Sequence, residues 1–414
     1  MGLLLNFIKK HKIFVIFFSA ILVYDFAVVG AFKPWSVTGE LYSIHLVDFS
    51  MGFCSRFLPG TVYNFFFDNT SQKAVTIYCT ILFIVFIAFI SRMLEIFVKS
   101  VDADSRPILL FILTYFVFGT FNFSIYAYRL GSLDFYWVSI VAFSIFCLSN
   151  KKLYFLLIPM SIISVIINYG SLTCYILLVV FIILYKITTL DDKKEKKILS
   201  FVLLALVISS YSLGFYFLMF EHNNLTYTLQ EFAEILKDRG YNDFPSYFAM
   251  SLYEADLYDS LLGFEVNESL INNSQSPIIS AITIVFYRVL ATLGMINFKQ
   301  GIVPFLLAFP VVILIFIYFR RKSRETTNKL RKITFFCMCA MFFVVIVSSL
   351  FLSVDIVRFI SHAYTSLIVS ALYVIYNEKG KDLKLIAEYI QRIPKWIITV
   401  YTFCFLFMIF DPCS

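Results

Sequence analysis

Apolar segments about 20 residues long recur along this chain, and each is long enough to carry a helix across a bilayer. Backbone polar groups find no water in hydrocarbon, so such segments must be helical. The expected fold is an all-α polytopic membrane protein, a single integral membrane domain over 1–414, with about 11 transmembrane helices plus interfacial helices. Composition agrees: 60% of the residues are hydrophobic and 15% are charged, a balance foreign to soluble domains.

The positive charges set the expected orientation. Lys9, Lys10 and Lys12 precede the first span (about 13–32) and keep the N-terminus cytoplasmic. Further basic clusters lie at 99–106, 151–152, 186–197, 320–332 and 379–395. Threading the spans on this pattern leaves 25 of the 34 lysines and arginines on the cytoplasmic side. Residues 33–72 become a first outer loop with an interfacial helix. Residues 221–276 become a long outer loop with ten acids against Lys237 and Arg239. The segment 278–297 is apolar but contains Arg288. Making it a full span would put RRKSRETTNKLRK (320–332) outside, so it reads as a re-entrant or surface helix. The piece 379–396 is amphipathic and should lie on the cytoplasmic surface.

That threading leaves five arginines at the outer face: Arg56, Arg129, Arg239, Arg288 and Arg358. His45, His222 and His362 fall there too. The guanidinium fork suits phosphate, so the pattern points to a phosphate-bearing, lipid-linked substrate at the outer leaflet. In the loop 40–60, Glu40, His45, Asp48 and Arg56 stand beside the membrane. A carboxylate there could take a proton from a sugar hydroxyl while Arg56 holds phosphate; alternatively Asp48 and Arg56 simply pair. Arg129 and Asp134 share the turn YRLGSLD, where they either close a hairpin or add to the outer positives. In SVDIVRFISH, Asp355, Arg358 and His362 fall on one helical face, and such a stripe beside a bilayer is costly unless it functions. Arg288 needs an anionic partner, a wet cavity or a route to the surface. Asp25, deep in the first span, either pairs with an arginine or is neutralised by burial. Tyrosines interleaved with acids in 221–276 suit carbohydrate.

No Walker A loop, GxGxxG turn, HExxH helix or CxxC pair occurs, which argues against ATP-driven transport and zinc proteolysis. In overall build the chain resembles bacterial Wzy-type O-antigen or capsule repeat-unit polymerases. The segments DFSMGFCSRFLPG, RLGSLD and DIVRF are similar to phrases in membrane proteins of polysaccharide clusters. The resemblance implies transfer of a glycan from undecaprenyl diphosphate onto the next lipid-linked unit, at the periplasmic face of the inner membrane. It implies no cofactor, whether metal or nucleotide. The implied partners are lipid-linked glycan, membrane lipid and a chain-length regulator, and not nucleic acid. On this reading Asp48, His362 or Glu40 serves as catalytic base, and Arg56, Arg288, Arg358 and Arg129 bind diphosphate, with Asp355 and His45 in support. The acid-bearing first loop is also similar to GT-C glycosyltransferases, which use polyprenyl-phosphate sugars, although their ExD and DxD pairs are missing. A lipid-linked oligosaccharide flippase is the competing class. It predicts ionisable residues deep in many spans, whereas here they gather at one face.

Overall fold

Long apolar runs unbroken by proline become long helices. The computed structural model describes residues 2–30, 35–68, 70–118, 126–127, 129–241, 276–295, 303–352 and 356–407, and among these it is helical with no strand. Helices α1 (Gly2–Lys10) and α2 (Lys12–Val23) lead into a π-helical turn, Tyr24–Val29. Two short helices, α3 (Gly39–Ser43) and α4 (Leu58–Phe66), precede α5 (Gln72–Ser100). Then come α6 (Arg106–Phe118), α7 (Leu133–Leu148), α8 (Leu157–Ile167), α9 (Leu177–Thr189) and α10 (Lys193–Phe220). The remainder are α11 (Leu229–Asp238), α12 (Pro277–Met295), α13 (Val303–Glu325), α14 (Lys329–Leu352), α15 (Ile356–Asn377), α16 (Leu383–Gln391) and α17 (Lys395–Phe407).

Polar residues mark the starts. Ser71 accepts the Ala74 amide ahead of α5, and Asp192 accepts the Lys194 amide ahead of α10, each satisfying a donor the helix leaves open. Thr228 and Glu231 form a reciprocal capping box at α11.

Among the described residues, five apolar helices are long enough to cross a membrane: Gln72–Ser100, Leu172–Thr189, Lys193–Phe220, Lys329–Ser348 and Arg358–Asn377. These make the chain a membrane protein in character. The last is 83% buried within the protein, against 28–56% for the others, so α15 is the central post of the bundle. It packs against α13, α14 and α9, while α10 packs against α8, α9 and α12. The segment expected to be re-entrant or surface-lying is the continuous helix α12, held against α10 and α14.

In the first outer loop, residues 41–47 are all buried and form an inward-packed cap, while Phe65, Phe66 and Phe67 at the end of α4 stay exposed. Gly60 shows why α4 can close on that cap. A Cβ there would sit 1.8 Å from the Val47 carbonyl oxygen and 2.9 Å from that of Ile44.

Candidate functional site

The cap is stitched from sequence-distant pieces. Gly52, at φ 137°, bridges to Leu225, and the Thr226 amide and hydroxyl both donate to the Met51 carbonyl at 3.2 and 2.8 Å. The Ser55 hydroxyl donates to the Glu221 carboxylate. His45 is the pin at its centre. Its Nδ1 lies 2.8 Å from the Leu41 carbonyl, which can only accept, so Nδ1 carries the proton. Nε2 then accepts from the Tyr136 hydroxyl at 2.8 Å. Burial pushes the imidazole down to about 4, against a smaller upward pull from the Leu41 carbonyl.

A pH dependence follows. The unfolded chain binds this proton near its ordinary value, and the folded chain resists it until about 4. The contribution of His45 is therefore complete above ~6.5 and is lost as pH falls toward ~4, to a limit of about 3 kcal/mol. The thermal midpoint of detergent-solubilised protein should fall across that window, and His45→Gln should flatten its share of the slope.

Asp48 is also committed. Its Oδ1 accepts the Ser50 amide at 2.9 Å and the Ser50 hydroxyl, and its Oδ2 accepts from Asn64 at 2.9 Å and Arg239 at 2.8 Å. Burial pushes the carboxyl up, but the Ser50 bonds and Arg239 outweigh it and hold Asp48 below its ordinary value. Its ion-pair partner is thus Arg239, where the sequence suggested Arg56. A carboxylate with both oxygens engaged and a depressed proton affinity is a fastener, poorly suited to serve as a base. Arg56 is half-buried at φ 76°, and its amide donates to the Ile166 carbonyl at 3.0 Å. A left-handed backbone is uncommon outside glycine and gathers at functional sites. Glu40 lies half-buried in the first turn of α3, and its carbonyl accepts the Ser43 hydroxyl.

A second cluster is built around Asp134, which the sequence marks only as a turn acid. Asp134 occupies the first turn of α7, where the helix dipole favours a negative charge. Opposite it, α15 presents Arg358 and His362 one turn apart. His362 Nε2 lies 3.2 Å from Asp134 Oδ1, and Arg358 Nε lies 3.6 Å from Oδ2, an ion pair at the longer range. Arg129, buried in the preceding turn, is close enough for its charge to act on the same carboxylate. The far nitrogen of His362, Nδ1, is 2.9 Å from the Tyr175 hydroxyl, and that hydroxyl is 2.9 Å from the Tyr126 hydroxyl. With Asp134 ionised, Nε2 donates to it. A neutral His362 then accepts from Tyr175, which accepts from Tyr126.

Tyr175 reaches this position because the first turn after Ser171 is π-helical, Leu172–Ile176, a distortion common at functional sites. Trp137 closes one side, its ring 5.8 Å from that of His362 and its Nε1 donating to the Ser164 carbonyl at 3.1 Å. An apolar groove of about 210 Å³ runs along α15 on this side, walled also by α5 and α7. Tyr126, Tyr175 and Thr365 all line it. The hydroxyl chain that begins at His362 therefore ends at hydrocarbon-lined space.

Of the residues singled out from sequence, the structure joins Arg129, Arg358 and His362 in one cluster and Asp48 and His45 in the neighbouring cap. The two clusters meet at the 129–136 turn, where a Cβ on Gly131 would lie 3.1 Å from the His45 ring. Asp355 and most of 221–276 lie outside the described residues, as do the side chains of Arg288 and His222. Tyr126 and Tyr175 were missed, since tyrosine inside an apolar segment carries no signal of its own. Asp25 is buried in the π-helical turn, and neither of its oxygens has a hydrogen-bond partner among the described residues. No group of three His, Cys, Asp or Glu side chains among the described residues is placed to hold a metal ion. No protein-family model, curated protein or solved structure matches this chain.

Proposed function

We propose that this chain is a polytopic inner-membrane glycosyltransferase of about 11 spans, with its N-terminus in the cytoplasm, that polymerises undecaprenyl-diphosphate-linked repeat units at the outer face. One observation carries the reading. A buried Asp134–His362 pair, flanked by Arg129 and Arg358, is linked through the Tyr175 and Tyr126 hydroxyls to an apolar groove that those two tyrosines line. The groove suits a polyprenyl tail, and two guanidinium groups suit a diphosphate.

In this reading the arginines draw the diphosphate toward the charge that develops as it leaves. The acceptor hydroxyl attacks the anomeric carbon of the donor sugar. The new carbon–oxygen bond forms as the bond to the diphosphate oxygen breaks, and that oxygen takes the electron pair. The hydroxyl proton passes to the Tyr175 oxygen as Tyr175 gives its own to His362 Nδ1, and Asp134 stabilises the imidazolium. Asp48 and His45 support the cap over this centre. Among the described residues, the GT-C-type alternative would need Glu40 or Asp48 as its acid, and Asp48 is already held by Arg239.

A transporter of lipid-linked oligosaccharide is the second reading, and Asp25 favours it. A buried carboxyl on a π-helical turn within the first span is the kind of group that couples transport. The two readings separate in a strain that depends on this chain for surface polysaccharide. Arg129→Ala and Arg358→Ala should each cut glycan polymer at least ~100-fold on a gel while single repeat units still reach the surface. Arg358→Lys should recover only part, because ammonium lacks the planar fork. Repeat units trapped on the cytoplasmic leaflet would support transport, and full-length polymer in both Ala variants would defeat the proposal.

A further inference from the structure

The opposite flank of α15 carries a second apolar groove of about 210 Å³, and it reaches the basic end of the bundle. Its walls include Tyr364 and Ile368 of α15 and Leu314 of α13, and its floor includes Ile386 and Ile390 of the amphipathic helix α16. At the mouth stands Tyr389. The Arg392 guanidinium lies 5.8 Å from its ring centroid, and the Arg321 side chain, at the end of α13, is near enough to Tyr389 for the two to interact electrostatically. Two arginines from different helices thus converge on one aromatic residue at the rim of hydrocarbon-lined space. Both are exposed, and Arg321 is shared with Glu325 at 2.7 Å.

The surroundings favour an anionic headgroup. Lys322 pairs with Glu378 and with Asp382 at 2.6 Å, which offsets part of the negative charge of these acids. Lys384 on α16 and Lys395 at the start of α17 are exposed, and Trp396, 69% exposed, is the kind of residue that marks a membrane–water interface. An interfacial helix with its apolar side over a groove and its basic residues outward matches a phospholipid in both halves.

We propose that this groove holds the acyl chains of an anionic glycerophospholipid of the adjoining leaflet, with its phosphate bound between Arg321 and Arg392. The site is distinct from the Asp134–His362 centre, and the inference stands whether or not the chain polymerises glycan. Arginine near an anionic headgroup favours it over a zwitterionic one, so the pair should give about tenfold selectivity or more.

The test is native mass spectrometry of the full chain, purified in mild detergent and mixed with equimolar phosphatidylglycerol and phosphatidylcholine. The wild type should retain phosphatidylglycerol about tenfold over phosphatidylcholine. The surface variant R321Q/R392Q should lose that preference while keeping its thermal midpoint. Ile390→Trp, which fills the groove, should retain less of both lipids. Equal retention by the wild type, or an unchanged preference in R321Q/R392Q, would overturn the site. Displacement of phosphatidylglycerol by equimolar polyprenyl monophosphate would overturn the choice of occupant.

Discussion

His362→Gln should lower glycan transfer about 1,000-fold while leaving the protein folded, and Asp134→Asn should match it in activity but also destabilise the chain. The two differ because of what each leaves behind. Glutamine retains a donor and an acceptor for the space between Asp134 and Tyr175, so the buried hydroxyls keep company. It cannot take up a proton. Asparagine at 134 removes the charge that Arg358 and Arg129 both face. Removing the carboxylate from this partly buried pair costs on the order of 1–3 kcal/mol, because Asp134 is buried and Arg358 is only a quarter exposed. Transfer rate with lipid-linked substrate and the thermal midpoint in detergent, measured on both variants, separate these outcomes. A His362→Gln protein that transfers at the wild-type rate would remove His362 from the chemistry.

The second large effect is structural. Gly60→Ala should destabilise the cap by about 3 kcal/mol or more, since the added carbon would meet backbone oxygens that cannot turn aside. Those oxygens, of Val47 and Ile44, would lie 1.8 and 2.9 Å from it, so α4 must lift away from 44–47. That same stretch carries His45 and precedes Asp48, which ties the cap to Arg239. Gly39→Ala is the matched control. It has positive φ but nothing within 4 Å of a new Cβ, so only the backbone strain of about 1 kcal/mol remains. Limited proteolysis should cut the Gly60→Ala protein in 44–60 well before the Gly39→Ala protein.

The helical architecture was readable because a bilayer fixes both length and backbone pairing, so a 20-residue apolar run has one outcome. The alignment of Arg358 with His362 was readable too, because spacing by four sets a helix face. The partners of these residues were not. Asp134 meets His362 across 228 positions and Asp48 meets Arg239 across 191, and no local rule carries a pairing that far. The eight-residue interval between Asp48 and Arg56 suggested a pair, whereas Arg239 reaches Asp48 from the far end of α11. The placement of Tyr175 depends on a π-helical turn that alters the helical period, and nothing in LTCYI announces it. Burial of 41–47 was hidden for a related reason. The apolar residues there serve equally for lying on a membrane or for burial under a polar cap.

The most direct measurement is reconstitution of the purified chain in liposomes with undecaprenyl-diphosphate-linked repeat units supplied on the face bearing the Asp134–His362 centre. The wild type should build a ladder of longer lipid-linked glycan, and His362→Gln and Arg358→Ala should leave the substrate at one unit. Substrate that crosses to the other leaflet with its glycan length unchanged, equally in the wild type and in His362→Gln, would contradict the account.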